Sequence, residues 1–258
     1  MPLETLIGFI PVSLTSSVPM NEKKSLCLPA VWVLLSLLVT GCGANEPADP
    51  AASAPGVEAQ KKILRIAYTR EIDVLNAFTS QNLVDIEFSM VEGLITTNEN
   101  NIYIPVLAKE IPTEENGLVV HKDDGAVEMT WRLHEKVLWH DGEAFTSKDV
   151  CFTWKFVASD HSETYNRDQY LGIIACRMPD EHTVVFTWDG VYGYYAGIFE
   201  AILPEHILGG MTTDEIVNYV PYNRGRETIG TGPFKFAEWK TGEYIRVVRN
   251  DTYWRGSE

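Results

Sequence analysis

The chain has 258 residues, 45% of them hydrophobic, and includes seven Trp, eleven Tyr and ten Phe. That length allows one or two domains, and the composition is ample for a packed core. A formal charge of −15 argues against nucleic acid or an anionic membrane surface as partner and suits a cationic or zwitterionic ligand.

The first element is Lys23-Lys24, the apolar run Leu26 to Val39, and Leu38-Val-Thr-Gly-Cys42. A basic end, a short apolar middle and small residues before a cut fit an export signal, and the run is short for a transmembrane helix. The Val39-Thr40-Gly41-Cys42 ending resembles the bacterial lipobox, which makes residues 1–42 a lipoprotein signal peptide and Cys42 the lipidated residue. Release by an ordinary signal peptidase, with Cys42 incidental, is the alternative. Met20 puts Lys23 and Lys24 directly behind an initiator and makes a better start than Met1. Residues 43–62 are rich in Ala, Pro, Asp and Glu with little to bury, and read as a flexible tether.

Ile63 to Thr69 is a strand candidate, and Asn82 with Asp85 can open a helix running to about Gly93 with Leu83, Ile86, Met90 and Val91 as its apolar face. Leu118–His121 and Val127–His134 flank Asp123-Asp-Gly125 and read as a hairpin. In its second arm Val127, Met129, Trp131 and Leu133 face one way, and Glu128, Thr130, Arg132 and His134 the other. Leu138 to Phe156 combines the turn Asp141-Gly142, the N-cap Thr146 with Asp149 three residues on, a staple pair Phe145 and Val150, and a helical apolar stripe. A turn at Pro179-Asp180 precedes the strand candidate Thr183–Trp188. Pro204 opens a short helix that Gly209-Gly210 ends, and Thr213–Tyr219 is another. Phe234–Trp239 and Tyr244–Arg249 form a last hairpin around Lys240–Glu243. The mixture of strands and helices, without strict βαβ alternation, predicts an α/β or α+β fold with mixed sheets.

Catalytic chemistry finds no support. His134-Glu135 and His140 lack the spacing that would place two imidazoles on one helix face, and no G-x-S-x-G elbow occurs. No C-x-x-C metal or redox spacing is present, so neither a metal site nor a cofactor is expected. Gly230-Thr-Gly-Pro233 lacks a phosphate-binding lysine and reads as a tight turn. In an exported chain Cys151 and Cys176 can form a disulfide, with two separately buried thiols as the alternative. The run Tyr192-Gly-Tyr194-Tyr195 can line a ligand cleft or simply pack a loop.

Three groups of residues together resemble the family 5 extracellular solute-binding proteins, the oligopeptide- and dipeptide-binding components of ABC importers. The first is Trp139-His-Asp-Gly-Glu-Ala-Phe-Thr-Ser-Lys-Asp-Val150. The second is Gly230-Thr-Gly-Pro-Phe234 with Glu238-Trp239, Gly242, Arg249-Asn250 and Tyr253-Trp254. The third is Leu64-Arg-Ile-Ala67 through Glu92-Gly-Leu-Ile95. The resemblance implies a periplasmic-binding-protein-like class II clamshell that captures peptides outside the cytoplasmic membrane and passes them to a permease and its ATPase. It also implies a monomer, held to the membrane by its lipid alone.

Family members continue past the R-N-x-x-Y-W motif into a second lobe, so the sequence to Glu258 corresponds to the first lobe, with the second missing. The expected division is a sheet domain of residues 63–82 plus 190–258 and an inserted domain of residues 83–189. Tyr68, Thr69, Arg70 and Glu71 are expected to face the cleft, with Tyr192 and Tyr194 as further ligand contacts. A non-peptide solute such as a nickel chelate or sugar, or a surface receptor or adhesion-like lipoprotein reusing the fold, are the rival readings.

Overall fold

The computed structural model describes residues 3–9, 62–82, 85–162, 164, 166–190 and 197–256, the first segment through its backbone. The leader with Met20 and Cys42, nearly all of the tether, Leu83, Tyr192 and Tyr194 lie outside the described residues.

Two four-stranded sheets organise the chain. One contains β1 (Leu3–Phe9), β2 (Lys62–Tyr68), β9 (Phe234–Lys240) and β10 (Tyr244–Arg249) in the order β2-β1-β10-β9. The other contains β5 (Val119–His121), β6 (Val127–Arg132), β7 (Ile173–Asp180) and β8 (Thr183–Trp188) in the order β5-β6-β8-β7. Between them in sequence, β3 (Ile95–Thr97) and β4 (Tyr103–Pro105) form a small hairpin that the pattern of residues did not reveal.

The second sheet follows from alternation. Val127 pairs with Trp188, Met129 with Phe186 and Trp131 with Val184, and all six are buried. Side chains two apart on a strand share a face, so these pairs form one continuous apolar surface. Helix α2 (Ser147–Ala158) meets it: Trp154 lies edge-on to Phe186 with ring centres 6.1 Å apart, and Phe186 stacks on Phe199 at 4.9 Å.

Helix α2 starts where its sequence says it should. The Thr146 side chain accepts from the Lys148 N–H, and the Thr146 N–H donates to Asp149 Oδ2 at 2.8 Å. The other Asp149 oxygen accepts the Glu205 N–H at 2.9 Å, which ties this start to α3 (Glu205–Leu208). Burial pushes the Asp149 carboxyl up, against the pull of those N–H donors. Cys151 of α2 is joined to Cys176 of β7, with Cα atoms 6.0 Å apart.

Elsewhere the boundaries shift. The helix expected from Asn82 forms as α1 (Asp85–Met90). Strand β7 runs on through Pro179 and Asp180, where a turn was expected, and Glu181-His182 makes the reversal instead. Proline is tolerated there because β7 is an edge strand and its pairing is irregular between Arg177 and Asp180. Pro204 is the cap before α3 rather than its first residue. Thr212 caps α4 (Thr213–Val217) with Glu215 in a full capping box, and α5 (Val220–Asn223) follows it.

The loop Gly230–Pro233 binds the distant parts together. The His140 backbone N–H donates to the Gly230 carbonyl at 2.9 Å, and the His140 ring Nδ1 accepts the Gly230 N–H at 3.1 Å. With Nδ1 an acceptor, the ring proton sits on Nε2 and donates to the Gly232 carbonyl at 3.1 Å. The Gly232 N–H donates to the Met90 carbonyl at 2.9 Å, and the Asn250 side chain donates to Gly232 O at 3.0 Å. Glu92 closes the ring: its carboxylate accepts from Thr231 Oγ1 at 3.0 Å, Tyr253 OH at 2.6 Å and Trp254 Nε1 at 3.0 Å.

Two outcomes are expected of this loop. A Cβ on Gly230 would lie 1.9 Å from the Met90 carbonyl oxygen, so Gly230→Ala should cost about 3 kcal/mol in urea unfolding, whereas Gly210→Ala, where nothing lies within 4 Å, should stay within about 0.5 kcal/mol. Burial lowers His140 to about 4, from an unfolded value of about 6.5. A depressed folded-state value means that the neutral ring's contribution is complete above pH ~6.5 and is lost as pH falls through about 4. Native stability should therefore drop by about 3 kcal/mol more in the wild type than in His140→Gln across that window, as measured by unfolding at a pH series.

Candidate functional site

The segment Tyr68–Glu71 leaves the C-terminal end of β2. In the sheet order β2 is an outer strand, bonded on one side to β1, so its other edge carries backbone groups with no strand partner among the described residues. Such an edge can take an extended peptide by main-chain pairing.

The four expected residues are placed differently. Tyr68 is half-buried and donates its hydroxyl to Asp85 Oδ2 at 3.0 Å, at the start of α1. Burial first, and then that carboxylate, push its phenol up. Thr69 and Arg70 are exposed, and the Arg70 guanidinium has no ion-pair partner among the described residues.

Glu71 turns inward. Its Oε1 accepts the Trp239 indole N–H at 3.1 Å and the Gly242 N–H at 2.8 Å. Trp239 in turn carries Arg224 over its ring at 5.3 Å. Glu71 thus fastens the segment to the β9–β10 hairpin, which leaves Arg70 as its outward charge. Sequence reasoning placed Glu71 beside Arg70 as an equal candidate and missed this tie. The available signal was that Trp239 and Gly242 both stand in the recurring pattern after Gly230-Thr-Gly-Pro.

The loop beyond is tied down by hydrogen bonds. Asp73 accepts from Ser80 Oγ at 2.8 Å and from the Gln81 N–H at 2.9 Å. Burial would raise its carboxyl, but these donors prevail and hold it low. Asn76 is fully buried, with its Oδ1 accepting the Phe78 N–H at 3.1 Å, and the Leu75 N–H donates to the Asn223 carbonyl at 2.7 Å. The exposed pair Thr69-Arg70 therefore sits on a fixed base, with a free strand edge on one side and the Trp239–Arg224 stack near the other end. Such a surface can offer backbone hydrogen bonds and one cationic contact; it contains no nucleophile–base pair.

A separate cavity of about 520 Å³ lies between α2 and the α3–α4 segment, lined by Lys148, Phe152, Lys155, Met178, Met211 and Ile216 among others, and shares no residue with the β2 end. Among the described residues, no three His, Cys, Asp or Glu side chains gather as a metal site.

The model of the "Bacterial extracellular solute-binding proteins, family 5 Middle" matches residues 103–258. The oligopeptide-binding protein AppA of Bacillus subtilis (strain 168) is 26% identical over 242 residues, 92% of this chain and 42% of that protein. The structure of AppA in complex with a nonapeptide aligns with a TM-score of 0.61 at 29% identity, over 71% of this chain and 35% of that one. NikZ from Campylobacter jejuni, solved in complex with Ni(L-His), aligns with a TM-score of 0.60 at 25% identity, over 72% of this chain and 35% of its own. The oligopeptide-binding protein of Thermus thermophilus, at 22% identity and a TM-score of 0.58 over 69% of this chain and 35% of its own, shares the fold. The chain thus spans less than half the length of these relatives. With the fold and the family match in agreement, this chain belongs to family 5 of the bacterial extracellular solute-binding proteins.

Proposed function

We propose that this chain is the peptide-facing first lobe of an ABC importer's solute-binding lipoprotein, anchored outside the cytoplasmic membrane through Cys42. In this reading residues 1–42 are the leader and 43–62 the tether. Residues 63–82 with 190–258 form the lobe's sheet domain, and 83–189 the inserted domain. The observation that carries the proposal is the free edge of β2 leading into the exposed Thr69-Arg70 pair on a base fixed by Glu71. A peptide laid along that edge gains main-chain hydrogen bonds without regard to its side chains, and Arg70 offers a partner for a peptide carboxylate. Tyr192 and Tyr194 are proposed as further contacts. The function is capture and delivery to a permease, not catalysis, in keeping with relatives that are binding proteins.

A second reading has an observation of its own: NikZ, with the same fold, was solved holding Ni(L-His). A chelate or another small solute would use the same segment with little main-chain pairing.

One lobe supplies one wall of a cleft that hinge-type binding proteins close from both sides. Losing half the contacts removes several kcal/mol, and each ~1.4 kcal/mol is tenfold in affinity. Titrating the purified chain with a mixed-sequence nonapeptide should give binding weaker than micromolar by calorimetry, and amide NMR shifts centred on Tyr68–Glu71 and β2. Micromolar affinity would contradict the one-wall reading, and shifts elsewhere with none along β2 would contradict the site.

A further inference from the structure

The cavity beside α2 has walls that are fixed in advance. Lys148, Phe152 and Lys155 recur at the three-, four- and seven-residue spacing that puts them on one helix face, and that face lines the cavity. Met178 of β7 and Met211 and Ile216 of the α3–α4 segment line it from the other sides. Three ties hold these elements apart and in place. Asp149 accepts the Glu205 N–H at 2.9 Å at one end of α2, and Ser159 Oγ donates to Thr213 Oγ1 at 2.9 Å at the other. The Cys151–Cys176 disulfide joins the helix to β7 between them. A preformed space of about 520 Å³ falls within the range of small-molecule pockets, about 300–1,000 Å³.

Its charges are distributed unevenly. Lys148 and Lys155 are exposed, and neither has an ion-pair partner among the described residues, although the chain carries 36 acidic against 21 basic side chains. They stand about 10.5 Å apart along the helix, at 1.5 Å per residue. Glu205 lines the Lys148 end, where its own N–H is held by Asp149. At the Lys155 end the cavity meets Thr213, whose hydroxyl takes the Ser159 proton and keeps its own to donate. The carboxylates nearest to Thr213 are engaged elsewhere: Asp214 faces His161, and Glu215 is bound in the Thr212 capping box. Two cations against one carboxylate leave the lining with a single net positive charge, placed at the Lys155 end. Phe152, Met178, Met211 and Ile216 supply an apolar floor, on which the methionines can adapt to an irregular shape.

We infer that this cavity binds a small amphipathic monoanion. Its carboxylate takes the Lys155 ammonium and the Thr213 hydroxyl, and its apolar body lies along Phe152, Met178, Met211 and Ile216 toward Lys148. Apolar burial supplies the attraction, and the ammonium fixes the orientation. A second carboxylate on the ligand would meet Glu205 at the far end, and a cationic head would meet Lys155. The site shares no residue with Tyr68–Glu71, so it stands whether or not the peptide-binding reading holds.

The test is calorimetric titration of the full chain with decanoate, kept below its micelle concentration, and with decyltrimethylammonium as the cation of matching tail. Decanoate should bind saturably at one site and at least about fivefold more tightly than the cation. Lys155→Gln should weaken decanoate about fivefold or more, and Lys109→Gln, outside the cavity, should leave it unchanged. Met178 is 46% exposed, so Met178→Glu should fold and abolish binding by putting a carboxylate on the floor. Absence of saturable binding would overturn the site, and equal affinity for the two probes would reduce it to apolar adsorption and overturn the anion assignment. Binding that survives both Lys155→Gln and Met178→Glu lies elsewhere and contradicts the inference. A self-association of the chain that buries Met178 and resists decanoate would assign the groove to a second copy and overturn it as well.

Discussion

Everything in the described chain hangs on how the backbone of Gly230–Pro233 is satisfied. A tight loop buried between elements exposes amide and carbonyl groups that cost free energy unless each finds a partner. Here His140, Met90 and Asn250 supply them, and Glu92 gathers Thr231, Tyr253 and Trp254 on one carboxylate. The constraint is steric as well as polar. Gly230 and Gly232 both lie against Met90, and a Cβ on Gly93 would come within 2.2 Å of the Phe199 carbonyl oxygen. Segments separated by as many as 162 residues are thereby held in one place.

This changes what the recurring motifs mean. His140, Glu92, Gly230–Gly232, Asn250, Tyr253 and Trp254, drawn from separate motifs, build one knot, and none of them lies at the exposed Thr69-Arg70 pair. The candidate ligand segment depends on a second, smaller tie, in which Glu71 holds the β9–β10 hairpin through Trp239 and Gly242. Lys235 extends from β9 to the His140 carbonyl at 2.8 Å, so the knot and the hairpin share a strand. The exposed Thr69-Arg70 edge is thereby fixed from behind.

Much of the local structure was legible because its causes are local. The alternation of β6, the Thr146 capping box and the β9–β10 hairpin depend on residues within a few positions of one another. What escaped was set at a distance. Strand β7 persists through Pro179 because it is an edge strand, and the β3–β4 hairpin is too short to show a period. At the candidate site the β2 strand could be read from sequence, whereas the segment Tyr68–Glu71 was reached only through the family resemblance. The inward turn of Glu71 could not be read, since its partners lie 168 and 171 residues away. The motif residues were visible as a pattern, but their convergence on Glu92 was not, because a list of motifs contains no contacts.

Glu92 and its three donors act as one unit. A double-mutant cycle on Glu92→Gln and Tyr253→Phe, read by urea unfolding, tests this directly. Hydrogen bonds to a charged acceptor contribute about 1.5–3 kcal/mol, so the two substitutions should couple by at least about 1 kcal/mol. Additivity within about 0.3–0.5 kcal/mol would contradict the account, because it would mean that Tyr253 and Glu92 support the fold independently.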